Sequence, residues 1–172
     1  SPLKLDFYSQ TSAPYGLLNE YADDIYDMLV KTSKSEYKVS VNYCRFRNKT
    51  DGSHGLQIPC NGYIGLPGIE GMRIISIKTS FRYHNSFKKL YLFLCSSVDE
   101  KKWYTGTLNQ YAITEDWNHT FHSGQNTSPE IKIKAANDPV PIPDGKGCLL
   151  LNDKANMHNL VKTITIIYEP VE

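Results

Sequence analysis

This chain is short of several things that would have marked an enzyme, a membrane protein or a nucleic-acid binder. None of its 172 residues belongs to an apolar run near the ~18 residues of a bilayer span, so no integral membrane segment is expected. Lysine and arginine number 19 against 18 acidic residues, a net charge of +1. No basic stripe is left to follow a phosphate backbone, and no nucleic-acid partner is expected. Lys88-Lys89 and Lys101-Lys102 are short pairs that read as solvated turn residues. Cysteine is sparse and widely spaced: Cys44, Cys60, Cys95 and Cys148 form no C-x-x-C pair, so neither a zinc ribbon nor a redox dithiol is indicated. Buried free thiols and one or two disulfides both remain open.

Catalytic fingerprints are missing too. There is no G-x-S-x-G, no H-E-x-x-H and no glycine-rich phosphate loop. Glu115-Asp116 and Asp99-Glu100 are adjacent acids, and neighbours on extended chain point apart. Glycosidic cleavage needs two carboxyls facing each other across a sugar at about 5–10 Å, so these pairs are poor candidates. His119 and His122 would share a face on a helix, but their segment has no helical pattern. They read as loop histidines, and no metal or other cofactor is expected.

What the chain does have is period-two hydrophobicity cut by glycine and proline. The block from Gly55 to Ser97 organises the rest. Leu56 to Cys60 is a short apolar run closed by Asn61-Gly62. Gly65, Pro67, Gly68 and Gly71 then break the chain. From Arg73 to Phe81, Ile75, Ile77, Thr79 and Phe81 alternate with polar residues, as in a half-buried strand. Leu90 to Cys95 is almost continuously apolar, which predicts a strand buried on both faces or central in a sandwich.

Outside that block, Pro2 to Tyr8, Tyr37 to Arg47, Trp103 to Leu108, Ile131 to Ala135, Cys148 to Leu151 and Val161 to Glu169 read as strands. Gln110 to Thr114 is a further short strand candidate, and Ile131 to Ala135 has the lysine alternation of an edge. Leu17 to Lys31 differs. Leu18, Tyr21, Ala22, Ile25, Met28 and Leu29 recur at three- and four-residue spacing behind an acid-rich start, which predicts an amphipathic helix. A strand from Ile25 to Val30 is the competing reading. Eight to ten strands with one helix imply one all-β domain over 1–172, an antiparallel two-sheet sandwich. The first strand is expected to pair with the last.

Three pieces carry a resemblance: the opening LKLDFYSQ, the block GLQIPCNGYIGLPGIEGMRIISIKTSFRY and the ending GCLLLNDKANMHNLVKTITIIYE. Together they cover less than half the chain. In these pieces it resembles the jelly-roll, galactose-binding-like modules of secreted and lipid-anchored proteins of Bacteroidetes-type bacteria. The helix read at Leu17 to Lys31 departs from that pattern. The resemblance implies an extracytoplasmic module, often glycan-binding and often attached to or encoded near glycan-degrading enzymes. The chain begins Ser1-Pro2, and the expectation is a secreted or cell-surface polypeptide whose leader has been removed.

Sugars present apolar C–H faces and hydroxyl edges, so their sites combine flat aromatic platforms with planar polar groups. Trp103, Tyr104 and Trp117, with Asp116, Asn118 and His119 close by, are the candidate binding residues. Both tryptophans also fit the sandwich core, Trp103 better than Trp117. Tyr63 and Arg82-Tyr83 are weaker candidates of the same kind. A non-catalytic module with a glycan ligand is the leading expectation. A structural or adhesive module making contacts with surface proteins is the alternative, and a jelly-roll hydrolase is the third.

Overall fold

Alternation becomes eleven strands in the computed structural model, which describes residues 2–9, 12–22, 25–47, 55–81, 93–95, 130–134, 142–152 and 159–171. The strands are β1 (Leu3–Asp6), β2 (Ile25–Lys31), β3 (Glu36–Asn42), β4 (Arg45–Arg47), β5 (Gly55–Ile58), β6 (Tyr63–Leu66), β7 (Met72–Phe81), β8 (Phe93–Cys95), β9 (Glu130–Lys134), β10 (Cys148–Leu151) and β11 (Asn159–Pro170). A first sheet runs β4-β5-β11-β7-β9, with β1 also on β11. A second runs β2-β3-β6-β10-β8. Every pairing is antiparallel. The protein is an all-β sandwich.

The last strand is the hub. β11 takes β5 over Asn159–Val161 and β1 over Thr163–Ile166, and lies along β7 for most of its length. Leu3 stands opposite Ile166 and Leu5 opposite Ile164, so the first strand does pair with the last. Leu5, Phe46, Leu56, Ile58, Ile77, Ile164 and Ile166 from the first sheet bury with Met28, Val39, Val41, Ile64 and Leu150 from the second. Each such side chain contributes roughly 1.5–3 kcal/mol of transfer free energy against the entropy of ordering the chain.

The helix expected over Leu17 to Lys31 is not there. Ile25–Lys31 is a strand that pairs with Glu36–Asn42 over seven residues without a slip. Met28 and Val30 are buried, while Ile25, Asp27, Leu29 and Lys31 are exposed, which is alternation. The same residues satisfy both periods over so short a window. The pairing of Ile25, Tyr26 and Val30 with a ready β3 decides between them. Leu17 enters the core from irregular chain beside the 3-10 turn Pro14–Gly16.

Two further expectations need correcting. Tyr37 to Arg47 is two strands in two sheets, because the chain turns a corner at Tyr43, where φ is 50°. In β7 the inward residue is Ile74, not Ile75. The ladder with β11 skips a residue between Ile74 and Ser76, and such a bulge reverses the alternation on one side of it. The run at Leu90 to Cys95 yields β8 over its last three residues, which among the described residues pairs with β10 at the end of its sheet's order.

β6 is a strand that the glycine count hides. Gly65 interrupts its hydrophobic pattern, yet the strand sits between β3 and β10. A Cβ at Gly65 would run into the Ser40 hydroxyl of β3, so the glycine marks close approach of two strands rather than a break.

Asp6 ends β1. Its Oδ1 accepts the N–H groups of Tyr8 and Ser9, both at 3.0 Å. Burial works against its charge, but hydrogen bonds from the Ser9 backbone and hydroxyl and from the Tyr8 backbone outweigh it and hold the carboxyl below its ordinary value. A lowered folded pKa adds stability above the unfolded value and loses it as pH falls through the folded one. Asp6→Asn should therefore flatten the acid limb of the stability curve below about pH 4. Urea titrations of both proteins between neutral pH and pH 2.5 or so check it.

Candidate functional site

One end of the sandwich is open. The two sheets part there around a cleft of about 440 Å³, within the range of small-ligand sites. From the first sheet come Leu3 at the start of β1, Met72 at the start of β7 and Tyr168 near the end of β11. From the second come Tyr37 of β3 and the β2–β3 hairpin, Thr32 to Ser35. Ile69 and Glu70 close it from the β6–β7 connection.

Local chemistry sets each part. The hairpin is held by Thr32. Its N–H donates to the Ser35 carbonyl at 2.8 Å, and its Oγ1 accepts the N–H groups of Lys34 and Ser35 at 3.2 and 3.1 Å. That side-chain clamp fixes the rim, where Ser33, Lys34 and Ser35 are exposed. Beneath it Tyr37, Ile69 and Met72 pack on the main core, and Leu3 belongs to it. Tyr168 donates from its hydroxyl to the Pro67 carbonyl at 2.7 Å. Burial, with smaller contributions from Cys148 and Tyr37, pushes the Tyr168 phenol well up, so it stays a neutral donor at any physiological pH.

The cleft thus has an aromatic and aliphatic floor under a rim of the Ser33 and Ser35 hydroxyls, one amine and one carboxylate, the Thr32 hydroxyl being spent on the hairpin itself, where it also donates to the Ser35 carbonyl at 3.1 Å. It can hold a polar molecule that also has an apolar face. Glu70 is the only carboxylate among the described lining residues.

A shallower groove of about 320 Å³ crosses the outward face of the second sheet. It forms where Gly65 leaves a dip between Ser40 and Leu149, with Asp27 and Lys38 at one side. Elsewhere, Tyr43 stacks on Tyr21 at 5.2 Å, and the Arg45 guanidinium lies 4.7 Å from the centre of the Tyr21 ring. Arg45 Nε also donates to Gln57 Oε1 at 2.8 Å, which ties this aromatic surface to β5.

No protein-family model, no curated protein and no solved structure matches this chain.

The residues singled out by sequence, Trp103, Tyr104, Asp116, Trp117, Asn118 and His119, lie outside the described residues, as do His122 and Arg82-Tyr83. The strands read at Trp103 to Leu108 and Gln110 to Thr114 lie there as well. Tyr63 is described. It is buried with Leu151 and Leu149 in a small cluster apart from the main core, so it is a packed ring and not an open platform. Tyr37 and Tyr168 were read only as strand residues. The missing signal was their convergence from the two sheets, 131 positions apart in sequence by the numbering of their strands. Among the described residues no group of three or more His, Cys, Asp or Glu gathers as a metal site would require. No helix among them is long and apolar enough to cross a membrane. Cys44 is a free thiol in the core, directed at the carbonyls of Asn42 and Tyr63 at 3.3 and 3.4 Å. Burial pushes its ionisation far up, so the group is held as the neutral thiol.

Proposed function

We propose that this protein is an extracytoplasmic, non-catalytic binding module that takes a glycan in the end cleft. The observation that carries the reading is the cleft itself: tyrosine and aliphatic side chains form its floor, and Ser33, Ser35, Lys34 and Glu70 form its rim. A pyranose offers the matching surfaces, an apolar face for Tyr37 and hydroxyl edges for the rim. The galactose-binding-like, jelly-roll assignment belongs to the same proposal. It is supported by the way β6, β7, β8, β9, β10 and β11 alternate between the two sheets, as strands of a double Greek key do.

A glycan array followed by calorimetry on the best ligand tests this. Tyr37→Ala should weaken binding about tenfold or more, with the far-ultraviolet spectrum unchanged. If Trp117→Ala abolishes binding and Tyr37→Ala leaves it intact, the ligand sits with the sequence-read residues instead of the cleft. Absence of binding to every glycan on the array removes the ligand assignment.

A further inference from the structure

We infer that β2 is a self-pairing edge through which two copies of this chain join their second sheets into one continuous sheet. Among the described residues β2 pairs only with β3 and is the first strand in its sheet's order. Sheet edges in monomers are normally blunted by proline, a bulge, a covering loop or charged side chains, and of these β2 carries only the charges Asp27 and Lys31, one of each sign. From Ile25 to Lys31 there is no proline or glycine, and the register with β3 has no irregularity. The outward row is Ile25, Asp27, Leu29 and Lys31, with Ile25 59% and Leu29 45% exposed.

Backbone direction agrees with that row. The Thr32 N–H points across the hairpin to Ser35. Successive residues of a strand direct their N–H and C=O groups to opposite sides, so Val30 and Met28 also face β3. Lys31, Leu29 and Asp27 then direct theirs to the open side. The 3-10 turn Pro14–Gly16 lies against β2, and the Leu18 N–H donates to the Tyr26 hydroxyl at 3.4 Å. Among the described residues the beginning of the strand is therefore occupied, and Asp27 to Lys31 is the stretch left for a partner.

Charge selects the occupant and the register. In an antiparallel pair of identical strands centred on Leu29, each Leu29 faces its counterpart and each Asp27 faces Lys31 of the second copy. Two ion pairs then flank one apolar contact, and the groups on the open side meet as hydrogen-bonded pairs. Centring on Asp27 would oppose two carboxylates. Centring on Met28 would set each Asp27 against a leucine. Lys31 has its ammonium 3.6 Å from Glu36, with 76% of its side chain exposed, so it can turn to a second carboxylate. A pairing of five residues buries less than the roughly 1,200 Å² of a standard interface, so the dimer is expected to be weak and concentration-dependent.

Sedimentation velocity on the intact chain from about 10 μM to about 1 mM tests this, the range in which such an interface registers. The unaltered protein should pass from monomer to dimer and no further. Asp27→Lys and Lys31→Asp should each weaken the dimer about tenfold or more, and the two together should restore it. Amide exchange gives a second reading: the Asp27, Leu29 and Lys31 N–H groups should gain protection at high concentration while the Met28 and Val30 groups do not change. A monomer throughout, a dimer indifferent to either charge reversal, or a double variant that stays weak would overturn the inference.

Discussion

Gly147→Ala is expected to destabilise the fold by about 3 kcal/mol or more, lowering the midpoint of thermal unfolding by roughly 6–12 °C for a chain of this size. Gly147 stands just before β10, where the chain passes the Pro67-Gly68 segment at backbone contact. A Cβ there would overlap the Leu66 carbonyl oxygen and lie 2.8 Å from the Gly68 nitrogen and 2.9 Å from the Pro67 carbonyl carbon. All three are main-chain atoms, so no rotamer change relieves the clash. Gly68 meets the same crossing from the other side, where a Cβ would overlap the Gly145 carbonyl oxygen. Because both substitutions displace the same two segments, their costs should fall short of additive when combined. Gly71 is the control. It has a φ of 77° but open space around its Cβ position, so its substitution by alanine should cost only about 1 kcal/mol, from backbone conformation alone. Scanning calorimetry on the three variants decides the matter, and a Gly147→Ala midpoint within about 2 °C of the parent would mean that the crossing can open freely.

Asn152→Ala should cost about 2–3 kcal/mol, and Asn152→Asp more. Asn152 is fully buried at the end of β10, with its Nδ2 donating to the Ile58 carbonyl at 3.1 Å. Its main chain is used as well: its carbonyl accepts the Asn61 N–H at 2.6 Å and its N–H donates to the Gly62 carbonyl at 3.0 Å. The residue thereby locks the turn Pro59 to Gly62, which crosses from β5 in one sheet to β6 in the other, with Asn61 at a φ of 67°. Alanine leaves the Ile58 carbonyl without this donor in a fully buried site. Aspartate adds a carboxylate aimed at a carbonyl oxygen, which is why the smaller change in shape should be the larger loss. Equilibrium urea unfolding of the two variants measures the order, and an aspartate variant more stable than the alanine one would contradict it.

Local pattern was enough wherever one face is dry and one is wet. In β1 and β11 the alternation Leu3, Leu5 and Ile164, Ile166, Tyr168 is uninterrupted, and their expected pairing holds. Local pattern is not enough where a single residue changes the phase or where two periods coincide. The bulge at Ile75 exchanged the inward residue of β7. Met28 sits on one helical face and on one strand face at once. Gly65 looked like punctuation because its reason, the nearness of Ser40, is visible only across two strands. The cleft was hidden for the same kind of reason. Tyr37 and Tyr168 are unremarkable in their own strands, and only sheet packing brings them to one mouth.

Taken alone, the order of residues determined the class of this protein. Alternating apolar side chains separated by glycine and proline bury their dry faces by stacking sheet on sheet. Tertiary structure decided which strands share a sheet, where the chain changes layers at Tyr43 and at Pro59 to Gly62, and which tyrosines line an opening. Those outcomes depend on contacts between residues far apart in the chain, and no window short enough to show a period contains both partners.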